Sequence, residues 1–176
     1  PSTTSAALTT LWTGATPAQH GILGYELWLR EYGLVANMIS HAPASYAGDV
    51  GGLRRAGFDP ANFLQAPTLG THLDEHGVRS YALQHHSIAR SGISTMLFNQ
   101  AEVLPIRSQA DLWMTLNTLL DNQRGQRMYT YVYWEGIDDL SHHYGPLDER
   151  VGMEFAAFSL HFQQFLARRR AARHGK

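Results

Sequence analysis

The sequence of 176 residues contains no cysteine, so neither a disulfide nor a thiolate metal ligand contributes to this protein. No run of about 18 apolar residues is present, so no transmembrane helix is visible. The formal net charge of −1 gives no reason to expect general binding to nucleic acid or to an anionic membrane. What the chain does have is 44% hydrophobic residues, which is enough for a soluble domain with a core.

The compartment is not determined by the sequence. No signal peptide is visible, but the chain opens at Pro1 without an initiator Met. Both a cytoplasmic and an exported location are compatible with this sequence.

Helical and extended segments alternate along the chain. Residues 5–12 predict a short helix, and residues 26–31 and 34–39 predict the two strands of a hairpin. The continuous aromatic and β-branched segment 128–134 is the strongest strand prediction. This alternation predicts an α/β layered domain with helices on both faces of a sheet. In such folds, functional side chains follow the carboxyl ends of strands.

A long helix is predicted from about Leu147. Its apolar side chains recur at intervals of three and four residues, which is typical of a helix that packs against a core. This stripe consists of Val151, Phe155, Phe158, Phe162 and Phe165.

The segment after residue 134 carries the first candidate site. Asp138 and His142 are four residues apart, and Gly145 and Pro146 end the segment. A carboxylate and an imidazole on one helical turn can converge on a single zinc ion. The alternative is a polar loop whose Asp and His hydrogen-bond the backbone, and the spacing alone does not decide between the two.

Thr4 lies at the start of the first predicted helix and is the second candidate. A hydroxyl there lies beside free backbone N–H groups and the positive end of the helix dipole, which favour a bound phosphate. Threonine is also an ordinary N-cap, and Thr3 and Ser5 are close by. Position by itself therefore does not select Thr4.

Two blocks of sequence, more than 100 residues apart, form a recognisable pair. The first runs from Pro1-Ser-Thr-Thr4 through Thr13-Gly14 to Pro17-Ala-Gln-His20-Gly-Ile. The second is Asp138-x-x-x-His142 followed by Gly145-Pro146. Together they resemble the type I phosphodiesterase/nucleotide pyrophosphatase family of the alkaline phosphatase superfamily. The resemblance implies an alkaline-phosphatase-like fold, with residues 1–176 as the N-terminal-side part of one catalytic domain.

The resemblance also implies a chemistry. It places the nucleophile at Thr4, which also binds one of two divalent metal ions, usually zinc, while Asp138 and His142 bind the other. Attack of Thr4 on phosphorus would give a phospho-threonine that water then hydrolyses. His20 matches the first block, where a role in ordering the loop is expected. The partner is a small phosphate ester.

The sequence departs from the family pattern at several points. An aspartate ligand is expected before Pro1, and an Asp-His-Gly motif and a further His ligand are expected beyond the last helix. We therefore expect these 176 residues alone to be inactive or nearly so, with exposed apolar surface and a tendency to self-associate. Tyr25 replaces an asparagine that contacts phosphate in nucleotide pyrophosphatases, which puts a nucleotide substrate in doubt.

The sequence leaves two other functions open. One is a phosphomonoesterase or sulfatase of the same superfamily, because these enzymes share the metal site and differ in the pocket. The other is a non-catalytic remnant that binds phosphorylated ligands or a partner protein.

Overall fold

The computed structural model describes residues 3–174, with side chains described as far as residue 172. The strands are β1 (Glu26–Leu29), β2 (Leu34–Asn37), β3 (Ala42–Pro43), β4 (Arg79–His85), β5 (Ala101–Ile106) and β6 (Met128–Val132). The helices are α1 (Thr4–Thr13), α2 (Pro17–His20), α3 (Gly52–Arg55), α4 (Pro60–Phe63), α5 (Leu69–Glu75), α6 (Gly92–Leu97), α7 (Gln109–Asn122), α8 (Gly136–Tyr144) and α9 (Glu149–His174), with a short 3-10 helix at Arg30–Tyr32.

These elements form two compact units. Among the described residues, the first unit comprises those up to Tyr81 together with Ser87–Val103 and Arg127–Tyr129. The second comprises Ala82–His86, Leu104–Gln126 and the residues from Thr130 onward. No helix in the described part of the chain is both long and apolar enough to cross a membrane.

The predicted hairpin is present, with shorter strands than expected. β1 and β2 pair antiparallel, with Glu26 opposite Asn37 and Leu29 opposite Leu34, and β3 extends this sheet. Gly33 has a φ of 62°, a left-handed conformation that suits glycine at the turn between the strands. The second sheet has the order β5-β4-β6. Sequence reasoning missed β5, which contains a proline that removes one backbone donor.

Helix α1 supplies buried side chains to the core of the first unit. Ser5, Ala6, Thr9 and Trp12 are the buried residues of this helix. The Trp12 ring packs edge-on against Phe98, with centroids 4.5 Å apart, and lies 6.1 Å from Tyr129. This packing fixes the helix whose first residue is the candidate nucleophile.

In the second unit, α7 packs against α9. Leu112, Leu116 and Leu119 are the buried face of α7, and its Trp113 ring contacts Phe158, Phe162 and Phe165 at centroid distances of 5.2–5.6 Å. The expectation that the whole aromatic stripe of α9 is buried is wrong, because Phe155 is 61% exposed and Phe162 is 44% exposed. Phe162 contacts Trp113 and is still partly exposed, so packing against α7 covers the stripe only in part.

Candidate active site

The N-terminus of α1 carries the candidate nucleophile. Thr3 is the N-cap, with an extended backbone (φ −82°, ψ 146°), and Thr4 is the first helical residue rather than the cap. The Thr3 side chain makes no capping hydrogen bond, so it does not occupy the first-turn N–H groups. Thr4 is half-buried. The N–H groups of the first turn of α1 therefore remain available as donors near Thr4. Pro1 of the same motif lies outside the described residues.

His20 orders the loop after α1, as expected. Its ring is buried, its Nε2 is 3.0 Å from Thr10 Oγ1, and its Nδ1 accepts a hydrogen bond of 3.1 Å from the Ile22 N–H. Because Nδ1 accepts, the proton of the neutral ring is on Nε2, which donates to Thr10. Burial lowers the pKa of His20, and a backbone hydrogen bond raises it in part. Both nitrogens are engaged, which leaves neither for a metal ion.

Replacing His20 by alanine is expected to lower the free energy of unfolding by about 2 kcal/mol, because the buried Ile22 N–H loses its acceptor and a cavity opens beside α1. Urea unfolding followed by circular dichroism measures this change. Alanine at Leu23, which is 58% exposed and lies next to Ile22, is the control and should cost less. Equal losses in the two variants would contradict the structural role of His20.

Tyr25 lies immediately before β1. Its carbonyl oxygen accepts a 2.9 Å hydrogen bond from the Met38 N–H, which ties it to the end of β2. The residue is 47% exposed. A phenolic hydroxyl in this environment can donate a hydrogen bond to a phosphate oxygen.

Asp138 and His142 lie on α8, so the segment that could have been a polar loop is helical. Asp138 Oδ1 and His142 Nε2 are 3.6 Å apart, with 55% and 80% of the side chains exposed. Two ligand atoms of one tetrahedral zinc ion are about 3.3 Å apart, given metal–ligand bonds of about 2.0–2.1 Å. The observed pair therefore matches a shared metal ion with little adjustment.

Three residues that sequence reasoning did not assign surround the start of α8. His85 is the last residue of β4, and its Nδ1 is 2.8 Å from Glu135 Oε1. Burial raises the pKa of Tyr133, and the negative charges of Asp138 and Glu135 raise it further. Tyr133 therefore stays a protonated donor beside the acidic groups. The sequence signal for Tyr133 was its position near the carboxyl end of the predicted strand 128–134, where functional side chains are expected.

A hydrogen-bond network attaches the segment before α8 to α9. Trp134 Nε1 donates to Glu154 Oε1 over 2.6 Å, and the Gln109 side-chain amide donates to the same oxygen. His161 Nδ1 is 2.8 Å from Gln109 Oε1. A Cβ on Gly136 would lie 2.7 Å from Trp134 Nε1, so the first residue of α8 must be small for the network to close. The network therefore holds in place the start of α8, the helix that carries Asp138 and His142.

The predicted site residues fall into two groups. Thr4 and Tyr25 belong to the first unit, and Asp138 and His142 belong to the second. The structure brings Asp138 and His142 together.

Comparison with known proteins gives a family and a fold. The family described as type I phosphodiesterase / nucleotide pyrophosphatase matches residues 1–172. No curated protein matches the chain. Similar solved structures include phosphonoacetate hydrolase from Sinorhizobium meliloti 1021 in complex with phosphonoformate and, in another crystal, with phosphonoacetate.

Each of these two structures is 21% identical to this chain, with a TM-score of 0.55. The match covers 95% of this chain and 42% of the hydrolase, so this chain spans less than half of the length of that enzyme. The predicted alkaline-phosphatase-like α/β fold is thereby confirmed. With a match over residues 1–172, the chain belongs to the type I phosphodiesterase/nucleotide pyrophosphatase family.

Proposed function

We propose that the protein hydrolyses phosphodiester or pyrophosphate bonds with the help of two divalent metal ions, preferably zinc. The observation that carries this proposal is the Asp138–His142 pair, 3.6 Å apart on α8, in a chain whose family match covers residues 1–172. Residues 1–176 would then form the N-terminal-side part of one catalytic domain.

Asp138 and His142 would hold one ion, and Thr4 would bind the other. A carboxylate and a neutral imidazole suit zinc, and a catalytic zinc takes three protein ligands, so this pair supplies two of them. When bound, the two ions would neutralise the charge on the phosphoryl group and on the attacking and leaving oxygens.

Thr4 would act as the nucleophile. Its Oγ1 forms a bond to phosphorus while the bond from phosphorus to the leaving oxygen breaks, which gives a phospho-threonine. Water then cleaves that bond and restores the hydroxyl. The N–H groups of the first turn of α1, which the Thr3 side chain does not cap, would hold phosphate oxygens during both steps.

Tyr25 favours a substrate other than a nucleotide. Its phenolic group is larger than the amide expected in nucleotide pyrophosphatases, and its 47% exposure places it where a substrate can reach it. A phosphomonoesterase or sulfatase activity is the second candidate, because enzymes of the same superfamily share the metal site and differ in the pocket. Hydrolysis of bis-(p-nitrophenyl) phosphate, p-nitrophenyl phosphate and p-nitrophenyl sulfate separates the candidates, and phosphonoacetate belongs in the same panel because a similar structure binds it.

The metal site is tested by zinc calorimetry on the chain and its variants. Alanine at Asp138 or at His142 is expected to weaken one zinc site by about tenfold or more. Asp139→Ala and His143→Ala are matched controls, since each residue is exposed on the same helix and directly follows one of the two proposed ligands. Zinc binding that is unchanged in the Asp138 and His142 variants would overturn the proposed site.

The same proteins then go into the hydrolysis assay with zinc. Activity that disappears in both Thr4→Ala and Asp138→Ala supports the two-metal mechanism with Thr4 as nucleophile. The prediction that the 176 residues alone are inactive stays a prediction, and it is supported if zinc binding depends on Asp138 while turnover is absent. Activity that survives Thr4→Ala would contradict the nucleophile assignment.

A further inference from the structure

The last turn of α5, together with His76, the residue that ends the helix, carries a second group of metal-ligating side chains. His72, Glu75 and His76 each offer a ligand atom, and these atoms all lie within 4.8 Å of one another. All three residues are exposed, so an ion can reach them from solvent. We propose that this α5 cluster is a binding site for a divalent transition-metal ion of the zinc type, additional to the pair on α8.

The spacing and the anchoring of α5 explain why these side chains meet. Positions i, i+3 and i+4 share one face of a helix. The opposite side of α5 is held in place: Thr68 Oγ1 caps the helix and donates a 3.0 Å hydrogen bond to Asn99 Oδ1, and a Cβ on the buried Gly70 would contact Gln100 at 3.4 Å. The cluster therefore faces solvent on a helix whose rotation is fixed.

One hydrogen bond prepares His76 as a ligand. Its Nδ1 is 2.8 Å from the carbonyl oxygen of His72, where Nδ1–H donates. This places the proton of the neutral ring on Nδ1 and leaves the lone pair of Nε2 for a metal ion. The two imidazole rings are adjacent, with centroids 4.5 Å apart. A backbone carbonyl behind a ligating histidine is the usual support of a metal-bound imidazole.

The donor set defines the class of ion. Two imidazoles and one carboxylate suit zinc, nickel and copper, whereas magnesium and calcium prefer oxygen ligands and keep several waters. Three protein ligands would leave one position of a tetrahedral zinc ion open to water. We therefore expect zinc to bind and magnesium not to compete.

The test removes the α8 pair first, so that failure of the proposed function and failure of this inference are separate results. In the Asp138→Ala/His142→Ala background, Thr4 alone supplies too few ligands to hold zinc, so zinc calorimetry is expected to show one remaining equivalent of bound zinc, at the α5 cluster. Further replacement of His72 or of His76 by alanine should weaken that binding by about tenfold or more, and Glu75→Gln should also weaken it. Asp74→Asn, on the same helix but outside the cluster, is the matched control and should bind as the background does.

Thermal unfolding gives a second readout. Zinc should raise the Tm of the background protein and of the Asp74 control, since an ion that binds only the folded chain stabilises it. It should not raise the Tm of the His72 or His76 variants, whose exposed positions leave folding intact by circular dichroism. Absence of zinc binding in the background, binding that does not depend on His72 and His76, or displacement by equimolar magnesium would each overturn the inference.

Discussion

Replacing Gly92 by alanine is expected to lower the free energy of unfolding by about 3 kcal/mol or more. A Cβ at this first residue of α6 would lie 2.3 Å from Cγ of His41 and 2.6 Å from its Nδ1. Carbon atoms in contact are normally about 3.5–4.0 Å apart, so the ring or the helix must move.

Neither the ring nor the helix can move easily. The His41 side chain is fully buried, and its ring packs at 4.9 Å against Phe58. The backbone of His41 is held as well, because its N–H donates to Asn37 and its carbonyl accepts from Leu53. On the other side, the N–H of the residue after Gly92 donates to Ile39 over 3.0 Å. The overlap therefore has to be relieved by breaking existing contacts.

A double-mutant cycle measures this contact directly. His41 has a φ of 53°, a left-handed conformation, so glycine is the replacement that removes the ring without backbone strain. His41→Gly alone costs stability through the cavity it leaves, but in that background Gly92→Ala should cost much less than in the original chain. Urea unfolding of the four proteins gives the coupling. Additive losses would show that the His41 ring is not what excludes a side chain at Gly92.

The stability of the protein is expected to fall by roughly 3 kcal/mol between pH 6.5 and pH 4 because of His41 alone. Burial, together with a smaller effect of the positive charge of Arg54, lowers the pKa of His41 to about 4. Within the described residues, neither ring nitrogen has a hydrogen-bond partner, so nothing compensates a buried imidazolium.

The direction follows from proton binding in the two states. Below pH 6.5 the unfolded chain protonates this histidine, whereas the folded chain keeps it neutral until about pH 4. The unfolded state therefore binds more protons in this interval, and the free energy of unfolding decreases as the pH falls. For each unit by which the pKa in the folded chain lies below that in the unfolded chain, the free energy of unfolding changes by about 1.4 kcal/mol.

Urea unfolding at pH 4, 5, 6 and 7 measures this dependence, and His41→Asn is the comparison because asparagine tolerates the left-handed backbone without a titrating group. The difference in stability between the two proteins should shrink as the pH falls. A constant difference across this range would contradict a neutral, buried His41.

Local pattern was enough for the elements that the sequence predicted well. The Asp138-x-x-x-His142 spacing identified a pair that the structure brings within 3.6 Å, because i and i+4 are neighbours on any helix. The first helix and the hairpin were likewise predicted from residues close together in the chain.

Contacts between distant parts of the chain were not predictable from local pattern. The local sequence around His41 gives no sign that its side chain is fully buried against Phe58 and Gly92, with no hydrogen-bond partner for its ring among the described residues. The contact of His85 with Glu135 depends on β4 and β6 being neighbours in the sheet, and no residue pattern within either strand indicates that pairing. The exposure of Phe155 was missed because helical periodicity shows which side chains share a face and not what covers that face.

The exposure of the donors on α8 has a consequence for the thermodynamics of the ion that they would hold. Asp138 and His142 keep 55% and 80% of their side-chain surface in water, so their rotamers are free before binding and fixed afterwards. That ordering opposes binding by about 0.5–1.5 kcal/mol for each rotamer-rich side chain that is immobilised. The entropy lost by these two side chains therefore lowers the affinity, and a neighbouring group that held either rotamer in place would tighten the site without adding a ligand.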